Sequence, residues 1–149
     1  MKSKLLLYAS LIIIAFNSCS KDKSNISSAA TSESIQTSLT TGSWRASNFK
    51  FQNQDHTSKL NGFVFTFDKA GPVTVANDLF AEGGSWSLTT HNTYLAVMFN
   101  IISQHSLEVF QEISGDFWDV TSHDNNTIEM RRTITDSPTT DYLTLKRVQ

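Results

Sequence analysis

Residues 63–75, Phe63-Val64-Phe65-Thr66-Phe67-Asp68-Lys69-Ala70-Gly71-Pro72-Val73-Thr74-Val75, decide the fold. Phe63, Phe65 and Phe67 alternate with smaller or polar residues, and Val73 and Val75 flank Thr74 beyond a short break. A period of two puts every large side chain on one face of a strand, whereas a helix needs a period near 3.6. Asp68 to Gly71 supplies the turn chemistry, so the stretch predicts two antiparallel strands joined by a tight hairpin. Their shared apolar face has to be buried.

The same pattern continues on both sides. Strands are predicted over 42–51, 63–68, 73–77, 85–90, 94–102, 116–122, 127–135 and 141–147. Glu82-Gly83-Gly84 offers positive φ for a turn, and Asp124-Asn125-Asn126 tolerates the left-handed region at another. Residues 104–113 read two ways: Leu107, Phe110 and Ile113 have helical spacing, while Leu107, Val109, Gln111 and Ile113 would line one face of a strand. Eight short antiparallel strands leave costly edges unless the sheet closes, so the expected fold is all-β, an eight-stranded antiparallel up-and-down barrel over residues 39–149. Its expected inward face is Phe63, Phe65, Phe67, Val73, Val75, Trp86, Leu88, Leu95, Val97, Phe99, Trp118, Val120, Ile128, Met130, Leu143 and Leu145. Thr66, Thr74, Ser87, Asp119, Glu129, Arg131 and Thr144 fall on the solvated wall.

Before the strands comes a different grammar. Lys2 and Lys4 precede an apolar run from Leu5 to Phe16, and Asn17-Ser18 leads to Cys19, the only cysteine of the chain. About 20 apolar residues are needed to span a bilayer, and this run is shorter. The arrangement resembles the signal of Bacteroidetes lipoproteins, which implies removal of residues 1–18, acylation of Cys19 and attachment to the membrane through that lipid. Ser20 beside Cys19 implies the outer membrane, with the periplasmic and cell-surface faces both open. Residues 19–38 are rich in Ser, Thr and Ala, with Ile26 and Ile35 as their only large apolar side chains, and are expected to be a flexible tether. The mature chain carries ten Lys and Arg against fourteen Asp and Glu, which offers no footprint for nucleic acid.

Three glycines each precede a tryptophan: Gly42 and Trp44, Gly84 and Trp86, Gly115 and Trp118. Gly42-Ser43-Trp44 opening the first strand, with Lys146 and Arg147 ending the last, resembles the lipocalin pattern. In that pattern an arginine packs on the tryptophan where first and last strands meet, so Gly42, Trp44 and Arg147 form the fold signature. The resemblance covers the chain from about Leu39 and is to the small lipocalin-like lipoproteins of Bacteroidetes. It implies a small apolar or amphipathic ligand inside the barrel, lined by Phe65, Trp86, Phe99, Trp118 and Met130, with Met98 and Tyr94 at its mouth. The alternative is a packed barrel acting as a protein-interaction or protease-inhibitor module, with apolar loop residues around Leu79 and Phe80 exposed to an envelope partner.

No catalytic constellation stands out. His56, His91, His105 and His123 lie in polar turns without metal-ligand spacing and are expected to be solvated, so neither a metal nor a cofactor is implied. Gly84-Ser85-Trp86 is not a nucleophile elbow, and Asp116 and Asp119 point to opposite faces of one strand. Arg131-Arg132 and Lys146-Arg147 would form a basic patch if the last two strands pair, balanced by Glu129, Asp136 and Asp141. The sequence therefore points to a noncatalytic protein.

Overall fold

A computed structural model describes residues 28–134 and 138–149, with side chains from residue 32 onward. The signal, Cys19, the start of the tether, Thr135 and Asp136 lie outside the described residues. Helix α1 (Ser28–Thr40) leads into nine strands, β1 (Ser43–Phe51), β2 (Gln54–Asp55), β3 (Val64–Phe67), β4 (Pro72–Ala76), β5 (Ala81–His91), β6 (Tyr94–Ile102), β7 (Phe117–His123), β8 (Thr127–Thr133) and β9 (Thr140–Arg147). A 3-10 turn (Thr57–Leu60) sits between β2 and β3, and helix α2 (Glu108–Ile113) between β6 and β7.

The strands form one antiparallel sheet in the order β2-β1-β3-β4-β5-β6-β7-β8-β9, and β1 also pairs with β9, so the sheet closes into a ring. The count is nine where the sequence reading gave eight strands; the addition is β2, two residues paired to the end of β1. Its hairpin turns at Gln52 and Asn53, both at positive φ. β1 pairs with β3 only at Ser43 and Trp44. Beyond that point the 3-10 turn fills the seam: the Phe49 amide donates to Thr57 Oγ1 at 2.8 Å, and Leu60 is buried. Bulges between Ala46 and Asn48 and between Val120 and Ser122 add the local twist that closure needs.

The predicted inward face is the core. Phe63, Phe65, Phe67, Val73, Val75, Trp86, Val97, Phe99, Trp118, Val120, Ile128, Met130, Leu143 and Leu145 are all buried, with Leu88 and Leu95 packed partly buried against them. The hairpin of the opening stretch forms as expected, closed by the Gly71 amide donating to Asp68 O at 3.0 Å with Gly71 at φ 110°.

Three expectations need correction, and one open reading is decided. Residues 28–38 are helix, not tether: Ile35 and Leu39, four apart, share one face of α1 and are buried in the core. Gly83 and Gly84 lie inside β5, where Gly84 stands opposite Ile101. A Cβ on Gly84 would come within 2.2 Å of Asn100 O, so glycine there permits close strand approach and makes no turn. The 124–126 turn is held by the Asp124 carboxylate, which accepts from the Asn126 and Thr127 amides at 2.7 Å each, without left-handed backbone. Residues 104–113 resolve as a loop and then α2, whose Val109, Phe110 and Ile113 are buried.

Candidate functional site

The strand registers give the ring two ends. One gathers α1, the start of β1 and the β3–β4, β5–β6 and β7–β8 turns; the other gathers the β1–β2 hairpin, the β4–β5 turn and α2. Both are closed by the same device. At the first, α1 ends, Gly42 turns the chain at φ 82°, and the buried Trp44 donates its indole N–H back to Leu39 O at 3.0 Å. The Arg147 guanidinium lies 4.8 Å from the Trp44 ring centre and donates to Ser38 O and Thr41 O at the helix end. At the second, α2 ends, Gly115 turns at φ 85°, and the buried Trp118 donates to Ile113 O at 2.8 Å. Arg132 lies 4.4 Å from the Trp118 ring and donates to Glu112 O at 2.8 Å. Each arginine thus places a cation on an aromatic face and donates to backbone carbonyls at or just beyond a helix end.

Between these closures the aromatics fill the interior. Phe67 stands 6.4 Å from Phe65, 5.5 Å from Trp86 and 6.0 Å from Phe99, ring centre to ring centre. Trp118 packs at 6.3 Å on Phe49, and Phe63 meets Phe110 of α2 edge-on at 5.1 Å. The expected ligand-lining residues Phe65, Trp86, Phe99, Trp118 and Met130 are therefore all inside, where they pack on other side chains of the core, and Trp86 also borders a cleft at the α1 end. Met98 and Tyr94, expected at a mouth, are on the outer wall instead, where Arg131 lies 5.0 Å over the Tyr94 ring. A cleft of about 210 Å³ lies at the α1 end, between Ser32 and Gln36 of α1, the Lys69–Gly71 turn, and Trp86 to Leu88 of β5.

The α2 end carries most of the buried charge. Arg132 forms a 2.7 Å ion pair with Asp141, itself fully buried and accepting from the Gln52 amide at 2.8 Å. Arg132 and Lys146 lie at opposite ends of the β8–β9 ladder, so the expected basic patch does not assemble; Arg132 spends its charge inside. Glu82 of β5 is buried and accepts from the Gln104 amide at 2.8 Å, the His105 amide at 3.2 Å and the Ser103 hydroxyl at 3.1 Å, with His105 Nδ1 at 2.9 Å. Burial alone would raise its pKa, but these hydrogen bonds outweigh it and hold the carboxyl below its usual range. Glu112 of α2 behaves alike: burial opposes ionisation, while bonds from His56 at 2.7 Å and Lys59 at 2.9 Å prevail. Asp55 is lowered mainly by the Thr57 side chain and amide.

Three histidines, His56, His91 and His123, are half-buried where solvation was expected, His105 stays exposed, and each of the four has a partner. His56 meets Glu112, His105 meets Glu82, His91 meets Asp119 at 2.9 Å, and His123 Nε2 lies 3.1 Å from Ser34 Oγ of α1. Asp119, expected on the solvated wall, is buried beneath His91. Among the described residues no three His, Cys, Asp or Glu side chains gather as metal ligands would.

Two large apolar side chains stay in water on the α2-end rim. Leu79, in the β4–β5 turn, is 80% exposed, and Ile102, at the end of β6 opposite Gly83, is 65% exposed. Phe80 between them in sequence packs on the His105 ring at 4.6 Å. Leu79 was legible from its place in a polar turn, whereas Ile102 was not, because strand phase alone does not tell an outward apolar residue from a covered one.

No protein-family model matches the chain. No curated protein matches it either. Among solved structures, a DUF4847 family protein from Bacteroides vulgatus aligns with 75% of this chain and 96% of its own, at 13% identity and a TM-score of 0.49.

Proposed function

We propose that this is a noncatalytic, lipid-anchored protein of the outer membrane whose lipocalin-like up-and-down barrel is packed solid and docks an envelope protein through its α2 end. Setting β2 aside, the ring strands follow one another in chain order, and Trp44 and Arg147 meet where first and last strands pair, as the lipocalin pattern requires. The anchor rests on Lys2, Lys4, the apolar run and Cys19. The observation that carries the docking is Leu79 and Ile102 standing in solvent on one rim of a domain that covers its inward apolar residues. Burying such side chains is worth about 1.5–3 kcal/mol each, enough for two of them to anchor a contact.

A small-ligand reading is supported by the cleft beside α1. At about 210 Å³ it is smaller than the roughly 300 Å³ at which drug-sized sites begin. Protein docking is therefore the better reading.

Two experiments test it. Cells fed an alkyne fatty acid should label the wild type and not Cys19→Ser, and equal labelling would remove the anchor. A photo-cross-linking residue at position 79 should trap one discrete adduct in living cells that Ile102→Glu abolishes, while the same probe at position 144 on the outer wall traps none. Identical adduct patterns from positions 79 and 144 would remove the docking surface.

A further inference from the structure

We infer that the α1 end of the ring faces the lipid surface and that the α2 end, with Leu79 and Ile102, points away from it. This rests on the acylation of Cys19 proposed above. The new element is the docking of α1. Because the helix begins at Ser28 and lies across one end, with Ile35 and Leu39 in the core and Ser34 against His123, the domain starts nine residues after Cys19. Nine residues span at most about 30 Å, whatever their conformation.

The ring is nearly as tall as that reach. The nine residues of β6, at about 3.3 Å each and tilted as closed sheets require, give a height on the order of 25 Å. To bring the α2 end to the membrane, the chain before Ser28 would have to run fully drawn out along the whole side of the domain. With the α1 end toward the lipid, every shorter path is allowed. Far more conformations favour that orientation, so the tether itself orients the domain.

Charge neither opposes nor replaces this. The exposed charges of the α1 end include Glu33, Asp68 and Asp124 against Arg45, Lys69 and Lys146, a balanced set in which the cross-strand pair of Arg45 and Lys146 is far smaller than the about four to eight cations that bind anionic headgroups. The α1 end therefore lies near the surface without inserting, and the lipid supplies all of the attachment. The consequence is presentation: a partner meets the α2 end first.

The test uses the full acylated protein, purified from its own membranes and reconstituted in vesicles of phosphatidylethanolamine and phosphatidylglycerol carrying a headgroup-attached quencher. Acylation blocks Cys19, so a fluorophore can be placed on Lys69→Cys at the α1 end or Gln111→Cys at the α2 end, both exposed side chains. The dye at position 69 should be quenched severalfold more than the dye at position 111. Equal quenching, or stronger quenching at 111, overturns the orientation while leaving the anchor intact. Failure of the wild type to float with vesicles overturns the anchor and the orientation with it.

Discussion

Trp44 and Trp118 are buried to the same degree, and each is held by three things: an indole N–H bond to a helix-end carbonyl, an arginine across the ring, and the core beneath. Trp44→Ala should therefore cost about 3–5 kcal/mol, because it loses a buried aromatic and leaves a cavity at the ring's seam. A urea midpoint that does not move would show that the closure is not made by this residue. The Arg132–Asp141 pair predicts an asymmetry that separates a buried charge from a buried contact. Asp141→Leu leaves the guanidinium of Arg132 uncompensated and should cost about 3–5 kcal/mol, whereas the double replacement Arg132→Met, Asp141→Leu should cost clearly less than the sum of the two singles. Equilibrium unfolding of the four proteins of that cycle checks it, and additive losses would mean that the two charges act independently. Gly84→Ala should destabilise as well, since its Cβ meets backbone that cannot move without separating β5 from β6.

The two helices are held in place by different means, and their visibility in the sequence differs for that reason. α1 is built largely of Ser and Thr, poor helix formers whose hydroxyls here turn back onto the helix, Thr40 to Gln36 O and Thr41 to Thr37 O. It is a helix because Ile35 and Leu39 are buried, a tertiary cause that no local pattern announces, and so the stretch reads as tether. Leu39→Ala should cost about 2–5 kcal/mol and loosen α1 first, seen as faster amide exchange over residues 32–40 than in the sheet. By contrast, the strands and their inward face were legible almost residue by residue, because a period of two survives any tertiary context that buries one face. α2 is pinned by carboxylates. Glu82 and Glu112 both have pKa values below the ordinary 4.5, so their stabilisation is complete above that pH and is lost as pH falls through their lower folded-state values. The urea midpoint of the wild type should decline below about pH 4.5, and Glu82→Gln should start lower at neutral pH and decline less steeply on acidification. Parallel pH profiles for the two proteins would show that Glu82 does not hold the loop that leads into α2.

Across the whole molecule, one physical fact links the core to the proposed function. A closed ring of this size is just wide enough for side chains to fill it, and here Phe65, Phe67, Trp86, Phe99 and Trp118 do so beneath two arginine-covered ends. Under the proposed docking, recognition falls to the outside, where Leu79 and Ile102 bear the exposed apolar surface of the α2 rim. The sequence could place the aromatics inside but not say whether they enclose space, because that depends on how rings from different strands interlock. The most direct measurement is therefore titration of the wild-type protein with a fluorescent fatty acid, read by energy transfer from its tryptophans. A filled interior predicts no saturable transfer at micromolar ligand, and the same flat response from Phe99→Trp. Saturable transfer in the wild type that Phe99→Trp weakens would contradict it, placing a ligand among the residues held here to pack against one another.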